Sequence, residues 1–204
     1  MKILDFAGRH ARNIGSGSRR GSACLPLTGT YRVGGQATAS SAKGPFHLTA
    51  TNHRASYVEL LPDSSFTFGQ LETLFVVFHS YSGGAAMGSP RVSITLIDDT
   101  ETERPVVIYL GNPPNFLDSD TALNQYSGLN LMSDNNADRF DTSAFPNGSP
   151  FATYADALKL VARVRVKNIS FFLDTVGTLR NRDEMLYSIG GSVVAPQGWR
   201  RPSD

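Results

Sequence analysis

A chain of 204 residues, 40% of them apolar and 12 of them phenylalanine, is long enough to bury one sizeable core. Its net charge of +1 excludes polyanion binding by the molecule as a whole, and its single cysteine, Cys24, excludes an intrachain disulfide framework. No window approaches the ~18 apolar residues of a membrane span, and the opening MKILDFAGRH is interrupted at Asp5, so neither a membrane segment nor a secretion signal is expected.

Taken in chain order, the first feature is a charge asymmetry. Residues 1–43 carry Lys2, Arg9, Arg12, Arg19, Arg20, Arg32 and Lys43 against Asp5, a net of +6, and the remainder carries −5. Within this segment, GRHARNIGSGSRRGSA (8–23) has no hydrophobic period. Alone it cannot bury enough surface to offset the entropy of ordering it. The segment 1–43 is therefore read as an extended basic arm. Its arginine forks suit carboxylates on an acidic neighbour. Nucleic acid is not the expected partner, because such arms carry denser charge and often aromatics for stacking.

From Thr30 onward the signals are β. Thr30–Val33 stops at Gly34-Gly35, Phe46–Ala50 alternates, and Ser56–Leu61 stops at Pro62-Asp63. Ser65–Phe68 reads as a further short strand closed by Gly69. Leu74–Phe78 is apolar at every position, which predicts a central strand buried on both faces. Arg91–Ile97 has a clean period of two, with Val92, Ile94 and Leu96 on one face, and pairs across a polar loop with Pro105–Leu110. Residues 111–150 form a long polar, turn-rich excursion, a feature that tends to be functional or partner-bound. Thr153 caps a helix with Asp156 three residues on, and Tyr154, Ala157, Leu158 and Val161 share its apolar face. A long strand through Val164, Val166, Ile169, Phe171 and Phe172 follows, and the segments around Leu186–Ile189 and Ser192–Val194 close the sheet.

The order from Leu71 to Ala195 runs LFVVFHSY, a glycine-rich break, PRVSITLIDDT, VVIYLG, the excursion, YADALKLV and KNISFFLDTVG. This pattern resembles jelly-roll, galactose-binding-like domains of the carbohydrate-binding-module type. With its basic arm, the whole chain also resembles the capsid decoration (cement) proteins of bacteriophages. The resemblance implies a jelly-roll β-sandwich over 44–195 with one short helix, an N-terminal arm over 1–43 and a tail over 196–204. It further implies a non-enzymatic structural protein of a virion, binding subunits of the same assembly and forming a homo-oligomer. The alternative is a carbohydrate-binding or adhesion module recognising a glycan.

No catalytic constellation is legible. Histidines 10, 47, 53 and 79 have no HxH or HxxxH spacing to seed a zinc site, and no GxSxG or phosphate-loop ending occurs. No cofactor is expected. The loop after the alternating strand holds Asp98, Asp99 and Glu101, oxygen donors that a hard cation would use if they converged. The alternative is a solvated hairpin tip. The residues nominated for partner binding are Arg9, Arg12, Arg19 and Arg20 in the arm, with Tyr109, Phe116, Tyr126 and Phe140 in and beside the excursion.

Overall fold

The computed structural model describes residues 24–51, 54–82, 90–110, 126–132, 138–174 and 182–195. They form an all-β fold of two antiparallel sheets facing each other, with one short helix. Sheet A has the order β3 (Thr38–Ala39), β4 (Phe46–Ala50), β12 (Arg182–Val194), β6 (Leu71–Ser82) and β9 (Tyr126–Asn130), and β1 (Cys24–Pro26) also pairs with β12. Sheet B has the order β10 (Phe140–Asp141), β8 (Glu103–Tyr109), β7 (Arg91–Ile97), β11 (Arg165–Leu173), β5 (Ser56–Pro62) and β2 (Gly29–Gly35). No helix among the described residues is long and apolar enough to cross a membrane.

Strand periodicity builds the core. In β7, Val92, Ile94 and Leu96 are fully buried, and the residues between them are half-buried. The register sets Val92, Ile94 and Leu96 beside Phe171, Ile169 and Val166 of β11, so one face of sheet B is continuously apolar. Sheet A answers with Phe46, Leu48, Leu74, Val76, Phe78, Leu186 and Ile189. The layers meet directly, with the Phe78 and Phe171 ring centroids 5.3 Å apart and those of Tyr31 and Phe46 5.1 Å apart. The Tyr31 hydroxyl also donates to the Ile189 carbonyl of the opposite sheet at 2.7 Å.

The helix α1 (Tyr154–Val161) starts where Thr153 Oγ1 accepts the Asp156 N–H at 3.1 Å, and Asp156 sits in the first turn and Lys159 in the last, as the macrodipole favours. Its face of Ala157 and Val161 is buried. Tyr154 leans on Phe68 and Phe140, with centroids 6.2 and 5.7 Å away.

Several expectations need correction. Residues 24–39, assigned to the arm, supply β1, β2 and β3: Cys24 pairs with Val194, and Tyr31 with Leu60. Alternation in Thr30–Val33 outweighs local charge, since the strand's edge pairs with β5 and its Tyr31 packs against the core. Ser65–Phe68 is not a strand. Its end is a 3-10 turn over Phe68–Gln70, where Gln70 Oε1 accepts the Thr67 N–H at 2.9 Å, so the two phenylalanines are buried from a turn. β6 is central in its sheet but is not buried on both faces, for Phe75 is 41% exposed. Burial on two faces requires a layer on each side, and among the described residues sheet B covers only one. The excursion contains β9 and β10, and the two final segments are one strand, β12, carried past Gly190-Gly191 with three register shifts.

Candidate functional site

The outer face of sheet B carries a cross-strand row whose members come from four strands. Register places Tyr57 of β5 opposite Phe172 of β11, Phe172 opposite Arg91 of β7, and Arg91 opposite Tyr109 of β8. All four are out of phase with the buried residues of their strands, so the pleat turns them outward. Tyr57 is 37% exposed.

The row is held in place. The rings of Tyr57 and Phe172 are within 7° of parallel, with centroids 6.3 Å apart. The Arg91 guanidinium lies 4.8 Å from the Phe172 centroid, a cation–π distance, and its Nη2 donates to Asp174 Oδ2 at 2.6 Å. Tyr109 donates its hydroxyl to Asp141 Oδ2 at 3.0 Å. Burial, reinforced by the Asp141 carboxylate, pushes the Tyr109 phenol above its ordinary value, so it remains a donor. At the other end Gly34 of β2 is opposite Tyr57. A Cβ there would fall 2.1 Å from Tyr57 Cζ, so the phenol occupies the space a side chain at position 34 would need.

A polar row runs beside it: Arg32, Glu59, Ser170 and Ser93 are successive cross-strand partners. The Glu59 carboxylate is anchored by Asn168 Nδ2, which donates at 2.7 Å. Planar apolar rings beside hydrogen-bonding groups are the kind of chemistry that interfaces use.

Other nominated residues lie elsewhere. Arg9, Arg12, Arg19, Arg20 and Phe116 fall outside the described residues. Tyr126 belongs to β9, at the register position opposite His79. Phe140 needs correction as a presented partner-binding residue: it is fully buried, because pairing with Ile108 turns it inward onto Tyr154. Tyr109 does reach the outer row. Phe172, Arg91 and Tyr57 were not nominated from sequence, although counting face parity from Val58, Val92 and Phe171 would have put them together.

The Asp98 loop is a turn closed by its own hydrogen bonds. Asp98 Oδ1 accepts from the Thr100 N–H at 2.9 Å, the Thr100 hydroxyl at 2.5 Å and the Thr102 N–H at 3.0 Å. Oδ2 accepts from Arg104 at 2.6 Å. Glu101 faces Arg165 at 3.4 Å. Asp98, Asp99 and Glu101 line an open depression of about 400 Å³ together with Arg163 and Arg165. Both Asp98 oxygens are thus engaged by local donors, and two cations share the space. No group of three or more metal-ligating side chains is found among the described residues.

The same bonds set a pH dependence. The Thr100 hydroxyl first, then the Thr102 N–H, hold the Asp98 carboxyl down at about 2 from an ordinary 3.8. A pKa depressed in the folded state gives stability that is complete above the unfolded value and lost as pH falls through the folded one. The stability advantage of the native chain over Asp98→Ala should therefore be constant above pH 3.8 and shrink as pH falls towards about 2. Urea denaturation at stepped pH checks this, and a gap that widens in acid would contradict it.

No known protein family matches the chain, and no curated protein resembles it in sequence.

Proposed function

We propose that this chain is a non-enzymatic structural protein that joins subunits of a larger assembly, with a phage capsid decoration protein as its specific form. The observation that carries the reading is the outer row of sheet B, which sets Tyr57, Phe172 and Arg91 side by side on one face. Tyrosine and arginine are the residues that interfaces concentrate at their energetic centres. The jelly-roll form and the virion setting come from the resemblance in strand order and arm composition, and two antiparallel sheets are compatible with them. Assembly of this kind works by geometry: weak contacts sum through symmetry and tethering.

The test is sedimentation velocity over a range of concentrations, comparing the full chain with one lacking residues 1–23. The truncation stops at 23 because β1 begins at Cys24 and belongs to sheet A. The expected result is that the full chain associates and the truncated chain sediments as a folded monomer. A truncated chain that associates equally well would remove the arm from the reading.

A second reading, glycan recognition, is favoured by a different feature. Phe151 is 52% exposed and lines a depression of about 470 Å³ with Thr142, Asn147, Ser149, Asp156 and Lys159. An exposed ring among hydroxyl, amide and charged groups suits a sugar. A soluble polysaccharide that raises the melting temperature of the native chain but not of Phe151→Ala would support it. No shift with any polysaccharide of a broad panel would count against it.

A further inference from the structure

We propose that the Tyr57–Phe172 face of sheet B receives residues 1–23 of a second copy of this chain. This rests on the assembly reading and names the surface and the occupant that reading needs.

The face already binds a guanidinium of its own. Arg91 lies over the Phe172 ring at 4.8 Å, and its Nη2 donates to Asp174 Oδ2 at 2.6 Å. Tyr57 and Glu59 repeat that chemistry one strand away. They are two residues apart on β5, on one face, so a ring that is 37% exposed sits beside a carboxylate that Asn168 holds at 2.7 Å. A ring beside a fixed carboxylate selects arginine: the ring takes the flat cation and the carboxylate takes the fork.

Residues 1–23 are the matching occupant. They hold Lys2, Arg9, Arg12, Arg19 and Arg20 against Asp5, a net of +4, while residues 24–204 carry 14 basic and 17 acidic residues, a net of −3. Gly15, Ser16, Gly17, Ser18 and Gly21 flank Arg19-Arg20, so the neighbouring side chains are small enough to let the arginines lie flat on a sheet. The segment enters the fold at Cys24, on sheet A, whereas the row lies on the outer face of sheet B. The point where the segment joins the fold and its receiving face thus belong to opposite layers, which favours delivery to a neighbour. Exchange of this kind yields a closed oligomer or an open array, according to the symmetry.

The experiment uses the full chain with p-benzoyl-phenylalanine in place of Tyr57, prepared as an equal mixture of ¹⁵N-labelled and unlabelled protein. Irradiation should join position 57 to peptides from residues 1–23, with labelled and unlabelled partners combined. Crosslinks that join only like-labelled partners would place the segment on its own chain and overturn the proposal. Crosslinks to other residues, or none, would overturn it too. Two variants read the same surface, each compared with the native chain for its melting temperature. Gly34→Ala pushes the Tyr57 ring from its seat, and Glu59→Arg removes the clamp. Each is expected to weaken self-association about tenfold or more, and Glu59→Arg should regain it when combined with Arg19→Glu and Arg20→Glu. Unchanged association in both single variants would refute the proposed surface. If removing residues 1–23 dissociates the protein while position 57 crosslinks elsewhere, assembly through the arm stands and this surface falls. If the full chain is monomeric at every concentration, both fall. A soluble polysaccharide retained by the native chain and released by Tyr57→Ala would show that the face belongs to a sugar instead.

Discussion

Phe140→Ala should destabilise the fold by about 3–5 kcal/mol, the usual cost of emptying a buried phenylalanine site. The ring is fully buried, lies 5.7 Å from that of Tyr154, and belongs to a strand that closes one edge of sheet B. Its backbone is also tied to Ala152, donating to its carbonyl at 3.1 Å and accepting from its N–H at 2.7 Å. The neighbours therefore cannot collapse far into the cavity, which favours the upper end of the range. For a chain of this size each kcal/mol moves the melting temperature by ~2–4 °C, so a fall of roughly 10 °C or more is expected in a thermal scan. A loss below about 1 kcal/mol would mean that the ring is not packed, and would return Phe140 to the set of residues available to a partner.

The second large effect distinguishes the adjacent glycines of β12. A Cβ at Gly191 would fall 2.0 Å from the Thr73 carbonyl oxygen and 3.2 Å from Leu74 Cα, both backbone atoms of β6. Backbone cannot swing aside as a side-chain tip can, so Gly191→Ala must push β12 and β6 away from each other at the centre of sheet A. The expected cost is about 1–3 kcal/mol, in the range of overpacked cores. A Cβ at Gly190 meets nothing within 4 Å. Gly190→Ala should therefore leave stability within about 0.5 kcal/mol, or raise it by up to about 1 kcal/mol by restricting the unfolded chain. Denaturant titration of the two variants side by side decides the matter, and equal effects would contradict the register of β6 against β12.

Much of the sandwich could be read from residue order, and the reasons differ by element. Arg91–Ile97 was legible because a half-buried strand must alternate, and α1 because Thr153 and Asp156 mark its start. β1, β3 and β10 are only two or three residues long, too short for a period to be visible. Ser65–Phe68 misled because two phenylalanines at alternate positions look the same in a strand and in a buried turn. The Tyr57–Phe172–Arg91 row was hidden for another reason. Each member is an ordinary outward residue in its own strand, and only the pairing of β5, β11 and β7 makes them neighbours. The Asp98 loop shows the converse: its acids are adjacent in sequence, yet both Asp98 oxygens are engaged by local donors.

The placement of β12 also governs when this protein can fold during synthesis. β12 is the last of the described strands in chain order, yet it pairs with β1, β4 and β6 and so joins most of sheet A. Until residues 182–194 have left the ribosome, β4 and β6 lack the strand that lies between them, and Cys24 waits for Val194. Sheet B can pair earlier, since its strands end with β11 at Leu173, but its apolar face then has only an incomplete sheet to pack against. Contacts this distant along the chain make folding slow and leave strand edges open meanwhile. The nascent chain thus passes through an interval in which a half-built sandwich leaves the apolar face of sheet B without its full partner layer.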